Sequence, residues 1–498
     1  MTHFDNDNKT TSYKKAGSLA KQMGNNNNFN QFAQTLSWLS AMNWTAKSLL
    51  AALTLTVMAC SNSNTPASNT ESKATEGETA TVAAEGVTPI TFWHSMSGEL
   101  GETLDGIVAD FNAANPEYKI TAIYKGAYDE SMNAGIAAFR AKQAPDILQV
   151  YEVGTATMMN AGDAIKPIQE LSEEVGDPID ASQFVGAVAG YYSSMDGKLI
   201  SMPFNSSTPV LYYNKDMYAK AGLPDRAPST YNELKSDASA LKKAGFCGYT
   251  TAWPTWVLVE NFAAWHNIPF ASKDNGFGGL DARLQLTQPL YKRLFSDLAT
   301  MSKDGTFTYG GRGDAANTLF MSGKCGIFTG SSGSRAQVLK DGKFKFGIGK
   351  LPYYEDVAGA PQNSIIGGAS LWVFNGKDAN VYKGITKFFH HLSTPEVAAT
   401  WHQKTGYVPV VKAGYDLTKS QGYYDKNPGT DIAVQSLSAD TTAQSRGVRL
   451  GNLPEIREME EGYMEQIFNG SMTVDVALAA MEDDGNKVLE QFESDNKK

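Results

Sequence analysis

Residues 89–152 read PITFWHSMSGELGETLDGIVADFNAANPEYKITAIYKGAYDESMNAGIAAFRAKQAPDILQVYE, and the alternation inside them decides the fold class. PITFWHSM (89–96) is β-branched and aromatic, which predicts a strand. ELGETLDGIVADFNAANP (99–116) repeats apolar residues at helical spacing and stops at Asn115-Pro116, which predicts a helix and its end. YKITAIYKG (118–126) alternates as a strand does. YDESMNAGIAAFRAKQ (128–143) is a second helix and PDILQVYE (145–152) a third strand. Strand–helix–strand–helix order implies a parallel sheet with right-handed crossovers, hence an α/β protein.

The pattern continues outward. STYNELKSDASALKKAG (229–245) is a helix opened by a capping box from Thr230 to Glu233. FCGYTTAW (246–253), CGIFTGSSGS (325–334) and IIGGASLWVF (365–374) read as strands that end or begin in polar or glycine-rich loops. In open α/β sheets ligands sit beyond the carboxyl ends of strands. That directs attention to Tyr151-Glu152, Trp253, Ser331 to Ser334 and Gly367-Gly368. Between the first strands and the later ones lies PFNSSTPVLYYNK (203–215), where Val210 to Tyr213 read as a buried strand entered through Asn205, Ser206, Ser207 and Thr208.

The chain has 498 residues, 42% of them hydrophobic and 19% charged, so it can build two or more lobes with a large core. Its net charge is −10, with no basic run of the kind a nucleic-acid binder carries. Residues 1–41 contain NNNNFNQ and little apolar text and read as a disordered N-terminal extension. MNWTAKSLLAALTLTVMAC (42–60) has a positive Lys47, then an apolar stretch too short to span a bilayer as a stable helix. Residues 42–59 have the shape of a secretory signal. Val57-Met58-Ala59-Cys60 resembles the bacterial lipoprotein box, in which the cysteine becomes the lipidated first residue. Residues 60–86 lack aromatic residues and read as a flexible, lipid-anchored tether. The expected location is the periplasm, held to a membrane through Cys60. Cys247 and Cys325 then remain, and in an exported protein they are candidates for one disulfide. Two buried free thiols are the alternative reading.

No catalytic signature stands out. The six histidines, His3, His94, His266, His390, His391 and His402, show no metal-ligand spacing. GSSGS at 330–334 has the wrong spacing for a nucleophile elbow, and the phosphate-loop and dinucleotide-binding glycine patterns do not occur. No catalytic residue, metal or cofactor is expected. Recognition chemistry is plentiful instead. TAWPTW (251–256) supplies two indoles near a strand end. GSSGSR (330–335) offers hydroxyls and backbone N–H groups that could hold an anion, or is a plain turn. Arg457 follows the Leu-Pro turn in GNLPEIRE (451–458), and arginine binds phosphate oxygens in a fork.

Several of these stretches, with WHQKTGY (401–407) and RLGNLPEIR (449–457), closely resemble the glycerol-3-phosphate-binding proteins of bacterial ABC importers. These are solute-binding proteins similar to the maltose-binding type. The resemblance covers about 89–496. It implies two α/β lobes, each a mostly parallel sheet flanked by helices, with ligand in the cleft between them. Lobe 1 is expected over about 87–205 and 357–415, lobe 2 over about 212–352, and a C-terminal helical part over about 416–498, together forming a solute-binding domain over 87–498. The resemblance also implies a ligand set of Tyr128, Glu152, Ser207, Trp253, Trp256, Ser331, Gly368, Tyr407 and Arg457. Pro254-Thr255 departs from the Gln-Gly that the family often has in the paired-Trp loop. The implied partners are sn-glycerol 3-phosphate or a glycerophosphodiester and the membrane subunits of the importer, with no nucleic acid. A glycerophosphocholine-preferring protein of the same fold is the nearest alternative. An enzyme, either a glycosidase or a phosphodiesterase using Glu152 as acid/base, is the alternative from another class. The polar residues of 205–208 are expected to face the cleft, and 203–211 to form part of a hinge.

Overall fold

The computed structural model describes residues 86–497. The extension over 1–41, the signal segment over 42–59, Cys60 and nearly all of the tether therefore lie outside the described residues. Ten strands follow in chain order among those residues: β1 (Thr88–His94), β2 (Tyr118–Tyr124), β3 (Ile147–Tyr151), β4 (Ile165–Lys166), β5 (Met202–Ser207), β6 (Pro209–Asn214), β7 (Cys247–Thr251), β8 (Cys325–Ser331), β9 (Phe346–Gly349) and β10 (Gly367–Phe374). The longer helices are α1 (Gly98–Ala114), α2 (Tyr128–Arg140), α3 (Tyr231–Lys243), α4 (Pro289–Lys303), α5 (Ala379–Leu392), α6 (Pro395–Thr405), α7 (Leu453–Phe468) and α8 (Val474–Asn496).

Two sheets result. The first has the order β2-β1-β3-β10-β4, with β5 also paired to β10, and the second has the order β7-β8-β6-β9. Neither is mostly parallel, contrary to expectation. β1 runs parallel to β2 and β3, and β7 parallel to β8. β10 runs antiparallel to β3, β4 and β5, and β6 antiparallel to β8 and β9. The cause is the route of the chain. β3 and β8 end at the cleft, whereas β6 and β10 are the strands by which the chain enters each lobe from the other, so they start there: Gly368 and Ala369 lie by Ser206 and Tyr151, and Pro209 by Ser331.

The sheets are covered on both faces, so β3 and β6 are buried at every position and are apolar but for Gln149 and Asn214. α1 buries Leu104, Ile107, Val108 and Phe111, one face at helical spacing. Phe111 meets Phe388 of α5 edge-on at 5.1 Å. α3 buries Tyr231, Leu234, Ala238 and Leu241. Its capping box is half made. Thr230 Oγ1 accepts from Glu233 N at 3.1 Å, but the Glu233 carboxylate accepts from Ser229 N at 2.7 Å and pairs with Arg226 at 2.7 Å. A nearby guanidinium outcompetes the backbone of Thr230 for that carboxylate. The C-terminal helices dock on the second lobe: Phe468 of α7 stacks near Phe295 of α4, and Glu493 of α8 bonds Arg283 at 2.6 Å.

The crossing between lobes is shorter than expected. Ser207 pairs with Gly367 in the first sheet and Pro209 with Ser331 in the second, which leaves Thr208 alone between them. Asn205, Ser206, Ser207 and Thr208 are all buried. Only Ser207 of the four lines the cleft, which corrects the expectation that all face it. Thr208 Oγ1 donates to Ile365 O at 3.0 Å, Thr208 O accepts from Ser332 N at 3.0 Å, and Ile365 N donates to Asn261 Oδ1 at 2.9 Å. Thr208 thus ties one crossing to the next.

Cys247 and Cys325 sit opposite each other in the β7–β8 register and are joined as a disulfide, 78 residues apart in sequence. Closing so long a loop restricts the unfolded chain, and removing such a link costs about 2–5 kcal/mol. A Cys247→Ser/Cys325→Ser protein should therefore melt at clearly lower temperature than the oxidised wild type and match the reduced wild type. Equal melting of the oxidised wild type and the double variant would refute the contribution of the link.

Candidate functional site

Where β3 and β8 end and β6 and β10 begin, the lobes enclose a cavity of about 450 Å³. Tyr128, Glu152, Ser207, Trp253, Trp256, Ser331, Gly368, Tyr407 and Arg457 all line it. The first-lobe wall is a relay of polar side chains. Ser95 N donates to Gln149 Oε1 at 2.7 Å, Gln149 Nε2 to Asn205 Oδ1 at 2.8 Å, and Asn205 Nδ2 to Tyr128 OH at 2.8 Å. Tyr128 OH then lies 3.4 Å from Tyr407 OH. Tyr128 also stacks on Tyr151 with centroids 5.4 Å apart, and Tyr407 stacks on Trp401 at 5.8 Å. Burial pushes both phenols up, so each stands as a neutral group. His402 Nδ1 donates to Tyr407 O at 2.6 Å, and burial lowers its pKa to about 4, so it holds this turn as a neutral imidazole.

Two glycines are required by close approach. Gly368 has φ +85, and a Cβ there would lie 1.9 Å from Asn205 O. A Cβ on Gly367 would lie 2.4 Å from the Trp256 ring. Bare backbone is what lets β10 begin against both the crossing and the indole.

The second-lobe wall comes from Trp253, Trp256 and the 331–334 turn. Trp253 has φ +51, a left-handed conformation unusual for a bulky residue. Its N–H donates to Gly313 O at 2.6 Å, and its carbonyl accepts from Val257 N at 2.9 Å. Backbone held in a sparsely populated region points to a functional constraint. Trp256 opens a π-type turn over Trp256–Glu260 that is buried throughout. In the 331–334 turn, Ser332 N donates to Thr208 O and Gly333 N to Ser331 Oγ at 3.0 Å. Those two N–H groups are therefore used internally, and the reading of this turn as an anion nest fails for them. Because Ser331 Oγ is the acceptor in that bond, its own O–H is left to donate.

Arg457, in the first turns of α7, is the electrostatic centre. Nε donates to Glu260 Oε1 at 2.6 Å, and Nη2 donates to Glu260 Oε2 at 2.8 Å and to Glu152 Oε1 at 2.9 Å. Nη1 makes no hydrogen bond among the described residues. Burial pulls the guanidinium pKa down, but Glu260 and Glu152 outweigh it and the net direction is up. Glu152 is raised by burial against the pull of Arg457. Sequence reading missed Glu260, a lone carboxylate inside the apolar run WVLVENFAAW. It also missed Glu460, one turn on from Arg457, which is 0% exposed and whose two carboxyl oxygens find no partner. Burial first, and Glu260 second, hold Glu460 well above the usual carboxylate range. Around Arg457 the cavity therefore offers one shared guanidinium, one buried carboxylate acceptor in Glu152, and neutral hydroxyls from Tyr128, Ser207, Ser331 and Tyr407, while the exposed side chains of Lys340, Glu99, Asp314 and Asp341 also line it. It is equipped to hold a small anionic polyol.

Residues 106–428 match the family model of bacterial extracellular solute-binding proteins. The chain is 51% identical over 415 residues to the sn-glycerol-3-phosphate-binding periplasmic protein UgpB of Salmonella typhimurium, covering 82% of this chain and 94% of that one. It is 51% identical over 418 residues to the UgpB of Escherichia coli, covering 83% and 95%. Among solved structures, UgpB from Mycobacterium tuberculosis in complex with glycerophosphocholine superposes with a TM-score of 0.69 at 22% identity, covering 82% of this chain and 99% of that one. Maltose-bound MalE3 of T. maritima superposes with a TM-score of 0.64 at 16% identity, covering 82% and 100%. These two likenesses bear on the fold, which is that of a two-lobed binding protein.

A carboxyl raised by folding keeps its proton in the native state after the unfolded chain has lost it. Stability then falls as pH rises through the native pKa and is fully retained below the unfolded value of about 4.3. Glu460→Gln, which copies the protonated side chain, should melt above wild type at pH 8, with the gap closing as the pH is lowered toward 4.5. Thermal melts at a series of pH values test this, and parallel curves for the two proteins would rule it out.

Proposed function

The chain belongs to the bacterial extracellular solute-binding proteins, and on that premise we propose that it captures sn-glycerol 3-phosphate in this cavity. It is the substrate-binding component of an ABC importer, a non-enzymatic part that works with the transporter's membrane subunits. The observation that carries the ligand assignment is the free Nη1 end of Arg457 among neutral donors. A phosphate oxygen set there gains charge-assisted hydrogen bonds from Nη1 and neutral ones from the hydroxyls of Ser331, Tyr128 and Tyr407. Glu152, already oriented by Arg457, accepts from glycerol hydroxyls, and Trp253 covers the carbon chain. With a net charge of −10, affinity for an anion comes from these local donors and not from the global field.

A glycerophosphodiester such as glycerophosphocholine is a second reading, favoured by the half-buried indole of Trp253 that lines the same cavity. Glu152 is engaged with Arg457 and serves as a binding acceptor, not as an acid or base. Residues from both lobes line one cavity, so the ligand is enclosed by approach of the lobes about the Thr208 crossing, and the closed form is what the membrane subunits distinguish. The chain acts in the periplasm. We further propose that residues 1–41 are an extension, that 42–59 are removed as a signal, and that lipid on Cys60 with the 60–86 tether holds the domain to a membrane.

Calorimetric titration with sn-glycerol 3-phosphate should give saturable binding, and Arg457→Ala should weaken it by about 2–5 kcal/mol, as expected when one partner of a buried charge set is lost. Wild-type affinity in that variant would remove the phosphate assignment. Independently, Cys60→Ser should move the protein out of the membrane fraction. Retention there would mean that the apolar segment anchors it by another route.

A further inference from the structure

We propose that Asp314 and Asn317, neither of them in the ligand set implied by the family resemblance, form with Trp253 a seat for the ammonium end of a zwitterionic glycerophosphodiester. The proposal rests on the glycerol-phosphate reading of the cavity and extends it to what lies beyond the phosphate.

The first support is charge. The cavity is lined by two cations, Arg457 and Lys340, and by the carboxylates of Glu99, Glu152, Asp314 and Asp341. Arg457 is bonded to Glu152, and Lys340 Nζ lies 2.7 Å from Glu99 across the cleft. Asp314 has no ion pair among the described residues. Arg312, two residues before it, is turned to α7, where its Nε and Nη2 donate to Glu465 at 2.8 and 3.0 Å. A purely anionic ligand gains nothing from Asp314, whereas a ligand that also carries a positive end does.

The second support is placement. Trp253 N donates to Gly313 O at 2.6 Å, and a Cβ on Gly313 would lie 3.8 Å from Cζ3 of the indole. Asn317 N donates to Asp314 O at 2.9 Å. One turn therefore carries Gly313 against the indole and sets Asp314 and Asn317 beside it on the cavity wall. The left-handed backbone of Trp253 is held by that same turn. Asn317 is 7% exposed and lines the cavity, yet its Oδ1 finds no partner and its side chain makes no hydrogen bond among the described residues. A buried amide left unpaired is destabilising unless something completes it. An aromatic face, a free carboxylate and an unpaired amide together suit an ammonium group.

The chemistry separates two head groups. A primary ammonium donates charge-assisted hydrogen bonds to Asp314 and also lies on the indole face. A quaternary ammonium has no N–H and uses only the indole and the through-space attraction of Asp314, which is solvent-exposed and therefore weak at a distance. The seat therefore favours the ethanolamine ester over the choline ester.

Titration of the full chain with sn-glycerol 3-phosphate, glycerophosphoethanolamine and glycerophosphocholine tests this. Asp314→Asn should weaken the ethanolamine ester by about three- to fivefold, the upper range for loss of a solvent-exposed ion pair. It should weaken the choline ester less, and leave the monoester unchanged or bound more tightly because a repelling carboxylate is gone. The effect on the ethanolamine ester should shrink with added salt. Asn317→Ala should shift the ethanolamine-to-monoester ratio in the same direction. A ratio within about twofold of wild type in Asp314→Asn, or a uniform loss for all three ligands in both variants, would overturn the proposal. Failure of the wild type to bind any of the three would instead strike the glycerol-phosphate reading itself.

Discussion

The buried guanidinium of Arg457 is the interaction on which the arrangement of the cleft depends. A charge so enclosed is tolerated only with partners, and removing one partner strands the other. Here the partners come from three parts of the chain. Arg457 is on α7, Glu152 directly follows β3 in the first sheet, and Glu260 closes the π-type turn of the second lobe. The bidentate fork to Glu260 fixes the plane of the guanidinium, the bond to Glu152 fixes its rotation, and Nη1 is what is left over. One ion cluster thereby anchors the C-terminal helices, both lobes and the electrostatic focus of the cavity. Neutralising most of the positive charge also explains why so many uncharged donors surround it. Selectivity must come from the number and aim of hydroxyls when both cavity cations, Arg457 and Lys340, are already paired with carboxylates.

The route of the chain explains the rest of the cavity. Because β3 and β8 end at the cleft and β6 and β10 start there, four strand termini converge on one space. Strand termini expose unpaired backbone and short loops, and glycine at 367 and 368 lets one of those termini pass within contact of the crossing and of Trp256.

Much of this was legible in the amino-acid order, and the illegible part has identifiable causes. The strands and helices of 89–152 were readable because their periodicity is local and their stops are marked by Asn115-Pro116 and by turn residues. The direction of β6 and β10 was not, since a strand's sense in its sheet depends on which lobe the chain comes from. The nine residues carried over from the family resemblance converge on one cavity. Glu260 was hidden because its partner lies 197 residues away, and a single carboxylate in an apolar run looks like one polar position on a helix. Glu460 was hidden for the opposite reason: it sits among Glu455, Glu458 and Glu461, where an acidic run reads as a solvated face. The polar stretch 205–208 was recognised as unusual, but only Ser207 lines the cavity: Asn205 supports Tyr128 from behind, and Thr208 bonds the neighbouring crossing. Hydroxyls that satisfy backbone look the same in sequence as hydroxyls that meet a ligand.

The single residue between the two sheets has a consequence for how the family's length can vary. β6 sends Val210 and Tyr212 into one apolar cluster and Leu211 and Tyr213 into the other. With Ser207 already paired in the first sheet and Pro209 in the second, adding or deleting one residue at Thr208 would exchange those two sets, placing each side chain in the wrong cluster along the whole strand. The junction is thus a counting device, intolerant of insertion. Divergence in length should accumulate in surface loops, while the spacing from Asn205 to Tyr213 stays invariant wherever both sheets are kept.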